Sequence, residues 1–138
     1  MISLVIPGEC VPKGRPRLGR YGTYTPEKTK VYERYVKVTI QKAKVKPIDG
    51  PLKVELTIKV ELTIYRKIPK SFSKVKRDKA ISGELLPATK PDIDNYVKSV
   101  LDASNGLLYH DDNQIVELLA RKLYAEEPRV EIRIEEVR

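Results

Sequence analysis

The chain has 138 residues, one cysteine, and 27 Lys and Arg against 19 Asp and Glu, a net charge of +8. That length suits one domain, residues 1–138, with its own core, and the single Cys10 excludes an internal disulfide and points to a reducing, cytoplasmic setting. No apolar run approaches the roughly 20 residues that span a bilayer, and the opening residues lack the basic and long apolar regions of a signal peptide.

The charge is unevenly placed: residues 1–46 carry +8, residues 47–91 carry +5 and residues 92–138 carry −5, so the sign changes at Asp92. A basic body suits a polyanion, nucleic acid before an anionic membrane, although excess lysine also serves plain solubility.

In chain order, residues 1–7 read as a first strand. Residues 9–25 hold Gly14, Gly19, Gly22, Pro12 and Pro16 and read as a loop. Lys13, Arg15, Arg17 and Arg20, with Tyr21 and Tyr24 behind them, make it either a solvated loop or a clamp on a nucleic-acid backbone. Thr25-Pro26-Glu27 has the form of a helix start with a capping hydroxyl. The helix should bury Val31, Tyr35 and Val38 and stop before Pro47, with residues 47–51 as a turn. Next, Lys-Val-Glu-Leu-Thr-Ile occurs twice in succession, at residues 53–58 and 59–64. Period-two alternation places Val54, Leu56, Ile58, Val60, Leu62 and Ile64 on one face of a long strand, a local duplication or extended edge.

A second basic cluster follows: Arg66, Lys67, Lys70, Lys74, Lys76, Arg77 and Lys79, around a short helix capped by Ser71 or Ser73 and ended by Gly83. Phe72 belongs to the core or stacks on a base. From about Asn95 a further helix shows a Val97, Val100, Leu101 stripe, with Gly106 at its C-terminal cap. Residues 110–113 form a polar turn, and residues 115–124 and 129–137 read as strands, although the first also fits helical spacing. The order argues for an α+β fold with one mixed sheet and two main helices.

The chemistry concentrates in Lys90-Pro91-Asp92-Ile93-Asp94-Asn95. In an extended segment, Asp92 and Asp94 would point the same way, and Asp111-Asp112 could close over them. Oxygen donors without a Cys or His cluster suit Mg²⁺ or Mn²⁺. The plain alternative is a helix cap and an ordinary turn. Lys98, one turn beyond Asp94, is either a surface ion-pair partner or a cation aimed at a phosphate. Asp102 shares that face. The spacing excludes an EF-hand, no Gly-rich phosphate loop is present, and His110 is the only histidine available to activate a nucleophile.

Asp92-Ile93-Asp94-Asn95, Lys98, Leu101-Asp102-Ala103, Asn105-Gly106 and Asp111-Asp112-Asn113-Gln114-Ile115-Val116 together resemble the RusA family of crossover-junction endodeoxyribonucleases. Gly50-Pro51-Leu52-Lys53-Val54, Ile68-Pro69-Lys70-Ser71 and Glu127-Pro128-Arg129-Val130-Glu131-Ile132 extend the likeness along nearly the whole chain. The resemblance implies a homodimer that resolves four-way (Holliday) junctions of DNA with Mg²⁺ or Mn²⁺. It implies metal carboxylates at Asp92, Asp94 and Asp112, a lesser part for Asp111, and a lysine needed for cleavage at Lys98. The basic segments carrying Lys13, Arg15, Arg17, Arg20, Lys70, Lys74, Lys76 and Arg77 would hold DNA. The duplicated hexapeptide departs from the family. The competing readings are a metal nuclease for flaps or single strands, and a DNA-structure binding module without activity.

Overall fold

The computed structural model describes residues 1–48 and 57–137. The alternating strands assemble into one mixed sheet of four, in the order β1-β6-β4-β5. These are β1 (Ile2–Pro7), β4 (Ile58–Lys67), β5 (Ile115–Ala125) and β6 (Arg129–Glu136). β6 runs antiparallel to both β1 and β4, whereas β5 runs parallel to β4. Residues 115–124 are therefore a strand, although their spacing also fitted a helix. The second copy of the hexapeptide lies in β4, which has strands on both sides and so is not an edge. Residues 53–56 of the first copy fall outside the described residues, as do 49–51 of the expected turn.

Alternation along the strands makes the sheet one-sided. Ile58, Val60, Leu62 and Ile64 of β4 are buried with Val130, Ile132 and Ile134 of β6. The other face of β4 is half-buried and polar: Lys59 pairs with Glu61 at 3.4 Å, and the Arg129 guanidinium lies 3.9 Å from the Tyr65 ring centre. The apolar face is covered by α1 (Glu27–Lys42) and α3 (Ile93–Ser104), which pack on each other and share its core. The shorter α2 (Lys74–Ser82) packs against β5.

α1 differs from its expected form in two ways. It buries Thr29, Tyr32, Val36 and Ile40, while Val31, Tyr35 and Val38 are 51%, 42% and 42% exposed. The helix carries two apolar stripes roughly 100° apart, and periodicity alone does not say which one meets the core. Thr29 hides the inner stripe, since a polar residue breaks its apolar pattern; its hydroxyl is spent on the N–H of Gly14, 15 residues earlier, at 2.9 Å. Thr25 provides no cap either. Pro26 occupies the cap position, one residue later, with no side-chain bond. α2, by contrast, starts on Ser73, which accepts from the Lys76 N–H at 3.2 Å, and ends at Gly83 with φ +84°. That is the left-handed conformation glycine adopts at least cost.

The Arg-rich stretch is more ordered than a loop. Arg17–Gly19 (β2) and Gly22–Tyr24 (β3) pair as a hairpin whose tip carries Arg20 and a Tyr21 that is 95% exposed. Among the described residues, no helix is long and apolar enough to cross a membrane.

Candidate active site

α3 begins two residues earlier than expected, and this changes the geometry of the acidic pair. Asp92 is the cap residue, extended at φ −69° and ψ 148°, and Asp94 already lies in the first helical turn. The two are therefore not alternate residues of a strand. Asp92 occupies the capping position without using it: its side chain makes no cap hydrogen bond, and only its carbonyl accepts, from the Asn95 N–H at 3.2 Å. Both carboxylates are exposed, with oxygens uncommitted among the described residues. Lys98 is exposed as well and forms no ion pair with Asp94.

The backbone ahead of Asp92 is held by two cations from neighbouring strands. Arg66 of β4 donates to the Thr89 hydroxyl at 3.2 Å and to the Lys90 carbonyl at 3.0 Å. Lys122 of β5 donates to the carbonyls of Thr89 at 3.1 Å and Pro91 at 3.2 Å. Burial pushes the Tyr96 phenol up, and the neighbouring Arg66 guanidinium opposes that shift. Sequence reading missed Lys122, because nothing local ties residue 122 to residues 89–91; only the parallel pairing of β5 with β4 brings them together. Lys122→Met is expected to free the Thr89 and Pro91 carbonyls and to speed amide exchange in residues 89–92 by about 10-fold, about 1.4 kcal/mol for the lost contacts. Hydrogen–deuterium exchange, with Lys122→Arg as the rescuing variant, checks this.

The second acidic pair meets the other end of α3. Asp111 caps a short 3₁₀ turn, accepting from the Asn113 N–H at 3.1 Å, while the Gln114 side chain accepts from the Asp111 N–H at 3.0 Å. Asp111 is thus occupied, and Asp112 is left exposed. The buried Tyr109 hydroxyl donates to the Leu101 carbonyl at 2.6 Å. Burial raises its pKa, and the nearby carboxylates of Asp112, Asp102 and Asp111 raise it further. Asp112 therefore stands near Leu101, seven residues or about 10 Å of helix rise beyond Asp94. Asp92 and Asp94 thus stand at the start of α3, while Asp112 stands beside the Tyr109 hydroxyl that bonds its later turn. Among the described residues, no three His, Cys, Asp or Glu side chains gather closely enough to hold a metal ion. The donor chemistry nonetheless fits Mg²⁺, which takes one or two carboxylates, keeps several waters and accepts substrate phosphate oxygens as its remaining ligands. Asp92 and Asp94 offer those carboxylates.

Lys13 does not extend into solvent as a DNA clamp would. Its ammonium bonds Glu33 of α1 at 2.6 Å and Asp102 of α3 at 3.1 Å, with 17% of its side chain exposed. Burial disfavours the charge, but the hydrogen bonds to Glu33 and Asp102 outweigh that and hold Lys13 above its ordinary value. Lys13→Met would leave two half-buried carboxylates unpaired, and a loss of about 2 kcal/mol in denaturant stability is expected, below the figure for fully buried pairs.

The remaining cations are available in different degrees. Arg15, Arg17 and Arg20 are exposed on and before the hairpin, and Lys70, Lys74 and Lys76 are exposed around α2. Arg77 is paired with Glu126 at 3.2 Å. Lys76 sits 4.4 Å from the ring centre of Phe72, which is half-buried edge-on against Tyr124 at 5.6 Å. Each cluster is linked to the start of α3 through a neighbouring segment. The Lys13 N–H, ahead of the arginines, bonds the Asn95 carbonyl at 2.7 Å, and α2 packs on β5, whose Lys122 reaches the Pro91 carbonyl.

Two comparisons with known proteins bear on this arrangement. Residues 7–135 match the family described as Endodeoxyribonuclease RusA. The chain is also 43% identical, over 143 aligned positions, to the uncharacterized protein YqaN of Bacillus subtilis (strain 168), covering 99% of this chain and 96% of that one.

Proposed function

This chain belongs to the RusA family of endodeoxyribonucleases, and from that premise we propose that it resolves four-way DNA junctions by paired, symmetric nicks in the presence of Mg²⁺ or Mn²⁺. The observation that carries the reading is the pair of uncommitted carboxylates at the start of α3, in a fold whose exposed cations gather on the hairpin and around α2. Arg15, Arg17 and Arg20 on one side, with Lys70, Lys74 and Lys76 on the other, hold the phosphate backbone. Asp92 and Asp94 hold the ion, with Asp112 facing the same substrate strand further along the helix. When bound, a divalent ion supplies charge neutralisation at the phosphoryl oxygens and lowers the pKa of an attacking water. Lys98, one turn on from Asp94, meets the charge developing on the phosphate or the leaving oxygen. Arg66 and Lys122 fix the backbone from which Asp92 projects.

A two-fold dimer lets both opposed strands of a symmetric junction be cut. The edge strand β5 supports such pairing, because Val116, Leu118 and Leu119 are 54%, 48% and 42% exposed there. The test is incubation of a labelled four-way junction with the protein, with and without Mg²⁺, beside flap, single-strand and duplex controls. Symmetric paired nicks only on the junction are expected. Equal cutting of flaps or single strands would replace the resolvase with a less selective nuclease, and no Mg²⁺-dependent cutting would leave a binding module.

A further inference from the structure

The apolar stripe that α1 turns away from the core has a counterpart. Between the first half of α1 and residues 10–17 lies a cavity of about 1010 Å³. Val11, Pro12, Pro16, Val31 and Tyr35 form its apolar walls. At its rim stand Arg15, Arg17 and Lys28 against one acid, Glu27. Tyr35 is oriented by its own hydroxyl, which donates to the Pro7 carbonyl at 2.7 Å, so its ring is a fixed wall. Deeper in, the Tyr32 hydroxyl is buried with no hydrogen-bonding oxygen or nitrogen among the described residues. Its neighbour is the Cys10 thiol, itself neutral because burial pushes its pKa up to about 11.

We propose that this cavity seats an unpaired nucleotide of the DNA partner, with the base against Tyr35 and the proline walls and the phosphates on Arg15 and Arg17. A volume of this size accepts a nucleoside. Flat apolar walls beneath a cationic rim are what single-stranded nucleic acid selects, since every base has a face to stack and every phosphate a charge. A second copy of this chain would bring its own +8 to the same cations. The position also suits the reading above, on which this proposal rests. Val11 and Pro12 line the cavity, and their segment is tied to α3 by the Lys13 N–H on the Asn95 carbonyl at 2.7 Å and by the Ser99 hydroxyl on the Val11 carbonyl at 2.7 Å.

The experiment measures anisotropy of a labelled oligo-dT and of a duplex of equal length, in EDTA, with the full-length protein, Val31→Trp and Tyr35→Ala. Val31 is half-exposed at the mouth, so tryptophan there fills the cavity without entering the core, which circular dichroism verifies. Both variants are expected to weaken oligo-dT binding by about 10- to 100-fold while duplex affinity stays within about twofold. Unchanged oligo-dT affinity in Val31→Trp, an equal loss on duplex, or a change of oligomeric state in place of a binding change overturns the proposal. Binding is read without metal, so a parent protein that fails to cut junctions in a separate assay with Mg²⁺ counts against the nuclease reading alone. A parent that cuts them while Val31→Trp binds oligo-dT normally counts against the cavity alone.

Discussion

Asp92→Asn should reduce Mg²⁺-dependent cutting of a four-way junction by at least about 100-fold, the scale on which one charged group at a reacting centre acts. Junction affinity should stay within about twofold, because binding is carried by cations elsewhere. The substitution keeps the shape of the side chain and removes its charge. Asp92 makes no cap bond and is exposed, so stability should move by less than about 0.5 kcal/mol. Asp94→Asn should behave alike. Asp111→Ala supplies the contrast: it removes the cap of the 3₁₀ turn, costs about 1 kcal/mol, and leaves the cleavage rate close to parental. Cleavage of a labelled junction, paired with a gel-shift assay in Ca²⁺ or EDTA, checks all three. Parental cutting by Asp92→Asn would remove the central assignment, and parental cutting by Lys98→Ala would remove the role given to that lysine.

Raising monovalent salt from 50 to 200 mM should weaken junction binding by about 1000-fold if about six phosphates are neutralised, since the slope of log affinity against log salt is about −0.9 per contact. Arg15, Arg17, Arg20, Lys70, Lys74 and Lys76 are the six. Removing any one to alanine should lower the slope by about one, whatever the sequence of the arms. Arg77, already bound to Glu126, should change it less, and Lys13 not at all. A flat salt response would mean that the two clusters do not hold the backbone.

Much of this was legible from the residues, and the misses have specific causes. Period-two alternation located the inner face of β4, because burial on one side forces it. The Ser73 and Gly83 signals bounded α2, because capping and left-handed turns are local physics. The acidic pair was found from composition against a basic background. What failed was whatever depends on distant partners. The choice between two stripes of α1 is made by α3 and the sheet; the fate of Lys13 is decided by Glu33 and Asp102; the clamp on residues 89–91 exists only because β5 aligns with β4. Asp92 shows the finer limit: its capping position was foreseeable, but the absence of a bond there was not.

β4 and β5 are neighbours in space, yet residues 68–114 intervene, so the acidic end of α3 lies inside a loop that closes only when those strands dock. Lengthening that loop costs little, about 0.6 kcal/mol per doubling, whereas sliding β5 by one position would turn Lys122, now opposite Ile64, to the other side of the sheet. Its hold on the Thr89 and Pro91 carbonyls would be lost with no change at any acidic residue. On the proposed assignment of Asp92, strand register thus positions the backbone that carries it, and substitutions that merely loosen the β4–β5 alignment should slow cleavage before they unfold the chain.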